Sequence, residues 1–335
     1  VNAAPSTHQL AVIIPAFKGK FLSRVFECLR KQTDQRFSIY VCDDASPADI
    51  AGIAKSALGT RNYLFKRFEK NLGGTSLAKH WDRCVALTNE PWIWLFSDDD
   101  LLDDNCVEAF YKFLETGGDA ADIARFDGWM VDEDDKITGT QPFKSETETW
   151  LEFALGYLLG CRRGLFTQQL VFRRTAHERA GGFLDFPLCW GTEYATVISM
   201  SRQRPMRRIP GARVFWRASG QNLSPDRSVR TRTAKLRACC LFAQWLHAQL
   251  AAPREHLFAG DEALFRNALD LFLMPQITNE GFFPALANWD LLARTRAEIG
   301  AGSRASLLKY LVLAAVNDAF SALGKTAKAL PGRAE

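Results

Sequence analysis

From Leu10 to Phe126 the chain alternates between unbroken apolar runs and stretches with apolar residues every three or four positions. Leu10-Ala11-Val12-Ile13-Ile14-Pro15 is apolar throughout, the pattern of a strand covered on both faces. Leu22, Val25, Phe26 and Leu29 then share one face of a helix spanning Phe21 to Lys31. Phe37 to Cys42 predicts a second strand, ending in Asp43-Asp44-Ala45-Ser46-Pro47, a turn that leads into a Pro-started helix. A third strand is expected over Tyr63 to Phe68. A helix is expected over Ser76 to Leu87, with Leu77, Trp81, Cys84 and Val85 on one side. Trp92-Ile93-Trp94-Leu95-Phe96 has no charged member and is expected at the centre of the sheet; it runs directly into Ser97-Asp98-Asp99-Asp100. A helix over Asn105 to Glu115 and a short strand over Ile123 to Phe126 complete the series. This alternation predicts an α/β domain of three layers, with a mainly parallel central sheet and right-handed crossovers. Ligands of such sheets bind beyond the carboxyl ends of the strands, where both acidic clusters fall.

Between Gly128 and Gly220 the pattern is mixed: a polar hairpin over Val131 to Thr140, a strand over Gln169 to Phe172, a helix over Glu193 to Arg202, and a strand over Val214 to Arg217 followed by a polar loop, Ala218 to Arg227. Beyond Val229 the signal is helical, over Thr233 to Leu250, Asp261 to Phe272, Pro284 to Ile299 and Ser303 to Leu323. The division expected is an α/β domain over 1–225, with halves 1–127 and 128–225, and a C-terminal helical region over 226–335.

Composition narrows the picture in three ways. The formal net charge of +4 over 335 residues lacks the concentrated basic face that nucleic acid requires. The eight cysteines, Cys28, Cys42, Cys84, Cys106, Cys161, Cys189, Cys239 and Cys240, show no zinc spacing and several sit in apolar runs, which points to a reducing, cytoplasmic compartment. Val1 to Gln9 reads as neither signal peptide nor anchor, and no apolar run reaches the roughly 18 residues of a spanning helix.

Three adjacent carboxylates at the end of a buried strand repel one another, and a cation relieves that repulsion. Asp98 and Asp100 are spaced to offer oxygens to Mg²⁺ or Mn²⁺, which bind through one or two carboxylates plus substrate phosphates. The competing reading is a solvated helix start, where acids favour the macrodipole; Asp103-Asp104 is assigned there. Asp43-Asp44 could take hydrogen bonds from a base or ribose, or cap the helix behind Pro47. Asn71-Leu72-Gly73-Gly74 lets backbone approach a nucleotide closely, yet it is neither GxGxxG nor a P-loop. Lys79 is either a phosphate contact or a solvated helix lysine. Arg217 either supports a phosphate or the active-site loop, or lies on the surface beside a strand. His80, His177, His247 and His256 suggest no role.

Taken in order, these segments resemble the inverting glycosyltransferases of family 2, which have the GT-A fold. Val12-Ile13-Ile14-Pro15-Ala16-Phe17 is similar to that family's opening strand, and Val41-Cys42-Asp43-Asp44-Ala45-Ser46 to its Asp-Asp-Gly-Ser turn. Asn71-Leu72-Gly73-Gly74 with Ala78-Lys79-His80 is similar to its Asn-x-Gly loop and the stretch after it. Trp94 to Asp100 is similar to its DXD strand. Ala180 to Asp185 and Gly191-Thr192-Glu193-Tyr194 resemble, more loosely, the acceptor-side Gly-Gly-Phe and acidic segments. The resemblance spans roughly residues 10 to 220. It implies a sugar transfer from a nucleoside-diphosphate sugar, most often a UDP-sugar, to a hydroxyl of a glycan or lipid-linked glycan, with inversion. It implies donor binding by Pro15, Phe17, Asp43, Asp44, Asn71, Gly73, Lys79, Asp98, Asp99 and Arg217, a Mn²⁺ or Mg²⁺ ion on Asp98 and Asp100, and Glu193 as catalytic base. It further implies a role in surface polysaccharide or lipopolysaccharide assembly.

This sequence departs from the family pattern in places. A gap-free overlay puts Ser97 on the first acid of Asp-x-Asp-Asp, which moves the metal ligand to Asp99 or Asp100. Glu193 stands where Asp is usual, Thr192 where Glu is usual, and Lys79 where Arg is common. The processive synthases' Gln-x-x-Arg-Trp is absent. The rivals are weaker. A sugar-phosphate nucleotidyltransferase needs a Gly-rich loop where this chain has Ala16-Phe17-Lys18-Gly19-Lys20, and a haloacid-dehalogenase-like phosphatase needs an Asp in the first strand. A family member that binds nucleotide sugar without transfer is the alternative that the Thr192-Glu193 departure supports. At the C-terminus, Leu308, Leu311, Leu313, Ala314, Val316, Phe320 and Leu323, followed by Lys325 and Lys328, form an apolar helix. Such a helix packs on the domain or a second copy, or lies peripherally on the cytoplasmic face of an anionic membrane.

Overall fold

A computed structural model describes residues 8–141, 145–160, 165–222, 226–251, 261–301 and 304–329. The chain divides into two compact units. The first comprises Val1–Ala154, Arg163–Asp185 and Thr192–Asn222; the second comprises Leu155–Arg162, Phe186–Gly191 and Leu223–Glu335. The cysteines described are free thiols, and Cys161 and His256 lie outside the described residues.

The chain runs through β1 (Leu10–Ala16), α1 (Leu22–Arg30), β2 (Phe37–Asp43), α2 (Ile50–Leu58), β3 (Leu64–Arg67), α3 (Leu77–Val85), β4 (Trp92–Leu95), β5 (Leu101–Leu102) and α4 (Cys106–Glu115). It continues through β6 (Ile123–Val131), β7 (Ile137–Gln141), β8 (Thr147–Glu148), α5 (Trp150–Leu158), β9 (Leu170–Arg173), α6 (Arg174–Ala180), α7 (Thr192–Met200) and β10 (Met206–Arg217). The sheet order is β3-β2-β1-β4-β9-β6-β10-β5, with β7 on β6 and β8 on β10. β3, β2, β1 and β4 are parallel, as the unbroken apolar runs of β1 and β4 predict for the middle of the sheet, and β4 is central. Beyond β4 the sheet is mixed: β9 is antiparallel to both neighbours, and β10 is parallel to β6.

Register decides what this edge can do. β1 pairs from Leu10↔Phe37 to Ala16↔Asp43 on one side and from Leu10↔Trp92 to Ile13↔Leu95 on the other. The ends of β1, β2 and β4 therefore emerge together, bringing Phe17, Asp43-Asp44 and Asp98 to Asp100 to one edge. β5 pairs with Val214–Phe215 of β10, so the acidic run is a tight link between two strands. It is not a helix start: α4 begins only at Cys106. Asp103 also leaves the helix-start role assigned to it, because its carboxylate binds the backbone and guanidinium of Arg213 at 2.8–3.0 Å. Under the sheet, Val12, Ile14, Phe26, Phe37, Val41, Trp94, Phe96 and Phe126 are buried. The Trp94 ring stacks on Phe126 at 4.8 Å, and its Nε1 donates to Gln168 O at 2.7 Å.

The second unit holds α8 (Val229–Ala251), α9 (Asp261–Glu280), α10 (Phe282–Ala287), α11 (Trp289–Glu298) and α12 (Arg304–Ala329). The helix expected over Pro284 to Ile299 is two helices, separated at Asn288, whose Nδ2 donates to Pro284 O and Thr233 O. Leu236, Phe242, Leu246, Leu269, Leu273, Ile277 and Leu292 are buried in this unit. Among the described residues no helix is long and apolar enough to cross a membrane.

Candidate active site

The acidic link is held from three sides. Asp98 Oδ2 accepts from the backbone N–H groups of Phe17, at 2.8 Å, and Lys18, at 2.7 Å, which fastens the end of β4 to the end of β1. Asp99 Oδ2 accepts from Lys18 Nζ at 3.2 Å and from Ser219 Oγ at 2.8 Å. Asp100 Oδ1 accepts from Arg217 N at 2.8 Å. All three carboxylates are buried. Burial first, and the charge of Asp99 second, push the Asp98 carboxyl up to about 6; the same causes hold Asp100 well above the usual carboxylate range.

Arg217 is 0% exposed. Its Nε donates to Asp99 O at 2.7 Å, its Nη1 to Asp132 O at 2.9 Å and Glu133 O at 3.2 Å, and its Nη2 pairs with Asp135 at 2.5 Å. Its guanidinium also lies 4.4 Å from the Phe21 ring. The donor contact expected of Arg217 is therefore replaced by a supporting one: it ties the acidic link to the β6–β7 turn from within. A buried cation at that spot offsets part of the repulsion among three acids.

Asp44 is an organising group. Its oxygens accept from Leu72 N at 2.9 Å, Gly73 N at 2.8 Å and Asn71 Nδ2 at 3.2 Å, and from the Arg83 guanidinium. A Cβ on Gly73 would lie 2.7 Å from Asp44 Oδ2, and one on Gly74 would collide with Asn71 Oδ1. The glycines thus permit a close approach to the chain's own carboxylate and amide. Arg83 also donates to His80 Nδ1 at 3.0 Å and covers the Phe68 ring at 3.8 Å. Burial pushes the His80 imidazole down to about 4, so it accepts as the neutral form. Asp43 accepts from Ser46 N at 2.8 Å and pairs with Arg67, while Ser46 Oγ donates to Phe17 O at 2.6 Å. Pro15 and the 43%-exposed Phe17 stand at the end of β1 beside this network. Lys79 is exposed, and its Nζ lies 3.8 Å from Asp185, so its ion pair is with the Gly-Gly-Phe segment and not the acidic link.

Glu193 sits in the first turn of α7, half-buried. Its carboxyl is engaged by its own backbone N–H. Burial raises its carboxyl to about 7, opposed by its own backbone N–H. Thr192, in the position of the usual acid, instead donates to Leu184 O at 2.8 Å and fixes the entry to the helix.

Residues 11–175 match the model of Glycosyl transferase family 2. This segment belongs to glycosyltransferase family 2. Glycosyltransferase GlyG of Streptococcus pneumoniae serotype 4 is 25% identical over 127 residues, covering 38% of this chain and 41% of that protein, so the match spans less than half of this curated relative. Two structures of S. aureus TarS share the fold. The complex with UDP has a TM-score of 0.51 and 14% identity, covering 88% of each chain. The complex with UDP-GlcNAc has a TM-score of 0.52 and 12% identity, covering 88% of this chain and 92% of the other. These likenesses, with the mixed α/β sheet, establish a GT-A-like fold for this glycosyltransferase. The matched segment contains both acidic clusters and the Asn71–Gly74 loop; Glu193 and Arg217 lie beyond it.

The carboxylate chemistry of this glycosyltransferase suits a hard cation at two of the three acids. Asp98 and Asp99 each take all their described hydrogen bonds on Oδ2, leaving Oδ1 without a partner among the described residues. Asp100 is turned inward, to Arg217 N and the Ser97 hydroxyl. Of the expected ligand pair Asp98 and Asp100, Asp98 thus keeps an oxygen that no described residue engages, as does Asp99. Among the described residues no group of three or more His, Cys, Asp or Glu side chains is placed to hold a metal ion. Lys18, Ser219 and Arg83 complete the site and were not singled out by sequence. Only Lys18 carried a signal, as a cation two residues past the end of β1.

Proposed function

We propose that this chain transfers a sugar from a nucleoside-diphosphate sugar, a UDP-sugar above all, to an acceptor hydroxyl with inversion at the anomeric carbon. The observation that carries this reading is the acidic link at the carboxyl edge of the parallel strands, where Asp98 and Asp99 keep oxygens free beside the Lys18 ammonium. The TarS structures, which are complexes with UDP and UDP-GlcNAc, support the choice of donor. Asp98 and Asp99 would hold a Mn²⁺ or Mg²⁺ ion, which would neutralise charge on the leaving diphosphate. Lys18 adds a second positive charge at the same place. Asp43, Asp44 and Asn71 shape the nucleotide side of the site by fixing its loops.

Glu193 is the base of this proposal. A carboxyl raised to about 7 is matched to proton removal near neutral pH. It takes the proton of the acceptor hydroxyl as the oxygen bonds to the anomeric carbon, and the bond from that carbon to the diphosphate breaks on the opposite face. The family resemblance supports a glycan or lipid-linked glycan acceptor, in surface polysaccharide or lipopolysaccharide assembly.

Glu193→Gln should lower turnover by about 10²–10⁴-fold, the usual range for loss of a general base. It should keep the thermal shift given by UDP with Mn²⁺. Near-normal turnover in this variant would remove Glu193 from the role. Absence of any shift with UDP and Mn²⁺ in the parent protein would sink the donor assignment.

A further inference from the structure

Helix α12 presents an apolar face that the second unit does not cover. Leu307 and Ala314 are buried, where the helix packs on α9 and α10. Leu308, Val312, Leu313, Val316 and Phe320 lie on the other side and are 45–69% exposed. At 3.6 residues per turn these five positions spread over roughly 140° of the helix circumference. The exposed face is therefore a broad stripe, too wide for scattered surface residues. α10, packed against α12, also exposes Phe283 and Leu286.

The charges along this helix are unequal in the sequence. Between residues 304 and 329 the sequence has four basic residues, Arg304, Lys309, Lys325 and Lys328, against one acid, Asp318. Asp318 faces inward: its carboxylate accepts from Phe282 N at 2.9 Å and pairs with Arg232 at 3.6 Å. Lys309 is exposed within the apolar arc, and its long stem allows the ammonium to reach a headgroup while the methylenes cover apolar surface. An apolar stripe with basic charge and no outward acid is complementary to an anionic lipid surface. The helix is too polar to cross a bilayer, so it would lie in the interface.

We propose that the outward face of α12 docks this glycosyltransferase on an anionic membrane. The test uses the full chain and sedimentation with vesicles of phosphatidylcholine alone or with phosphatidylglycerol. Binding should be strong on the anionic vesicles, weak on neutral ones, and reduced by salt. Val312→Glu combined with Val316→Glu should weaken it by about tenfold or more. Both sites are exposed, so folding by circular dichroism and the UDP thermal shift should be unchanged. The proposal is overturned if the parent chain ignores anionic vesicles, or if it binds both vesicle types equally. It is also overturned if the double variant converts a dimer to a monomer in light scattering while vesicle binding stays absent.

Discussion

The two acidic clusters at the carboxyl edge of the sheet are alike in sequence and opposite in use. Asp43 and Asp44 spend their oxygens on their own surroundings: backbone N–H groups of three residues, the Asn71 amide, and two arginines. Asp98 and Asp99 each concentrate their bonds on one oxygen and leave the other unused by the described residues. The first cluster builds a loop, and the second keeps ligand capacity. Position at a sheet edge is common to both; what separates them is whether the donors aimed at each carboxylate engage both oxygens or only one.

If that contrast is right, Asp44→Ala is foremost a stability variant. It strands the Arg83 guanidinium and two loop N–H groups, and breaking a buried pair by removing one partner costs about 3–5 kcal/mol. The expected outcome is a large drop in the urea midpoint, with UDP affinity falling because the Asn71–Gly74 loop is loosened. A variant as stable as its parent would break the comparison. Asp99→Ala is expected to do the reverse. Its transition-state charge stabilisation is of the kind worth about 10²–10³ in rate. The urea midpoint should move little, since Lys18 is one-third exposed and can turn to water. Loss of stability comparable to Asp44→Ala, with transfer intact, would reverse the assignment.

Most of the parallel half of the fold was legible because strands covered on both faces must be apolar at every position. β1, β2 and β4 lie within a residue or so of where their runs predict. β10 begins eight residues earlier than expected, at Met206, because Arg207, Arg208, Pro210 and Gly211 hide it. The register shift between Ile209 and Arg213 accommodates the Pro and Gly. α5 escapes the sequence pattern because Trp150 to Leu158 is apolar nearly all round and carries no helical period. The acids of the site were visible as clusters, but the donors that engage them were not. Those partners are distant in sequence: Lys18 is 81 residues from Asp99, Ser219 is 120 from it, and Arg83 is 39 from Asp44. Only the folded register brings these together, so Arg217 could be read as a donor contact when it is a buried support.

The contrast between the clusters also has a signature in pH. A carboxyl at about 6 in the folded chain against about 3.9 when unfolded binds its proton more tightly in the native state. Below about pH 4 Asp98 is protonated in both states and nothing is lost. As pH rises through about 6 the buried group must ionise, and its contribution to stability falls away. Asp98→Asn retains a carbonyl oxygen that can accept from both Phe17 N and Lys18 N, so the packing survives while the ionisation is removed. Its unfolding free energy should therefore decline less than the parent's between pH 4 and pH 7. The difference is modest, because Asp100 and Glu193 are raised by burial too and keep their own slopes. Mn²⁺ with UDP should flatten the parent's slope, since a cation favours the ionised carboxylate, and should do so less in Asp98→Asn. Superimposable pH profiles for the two proteins, with and without the metal, would show that Asp98 serves the fold alone, in the way Asp44 does.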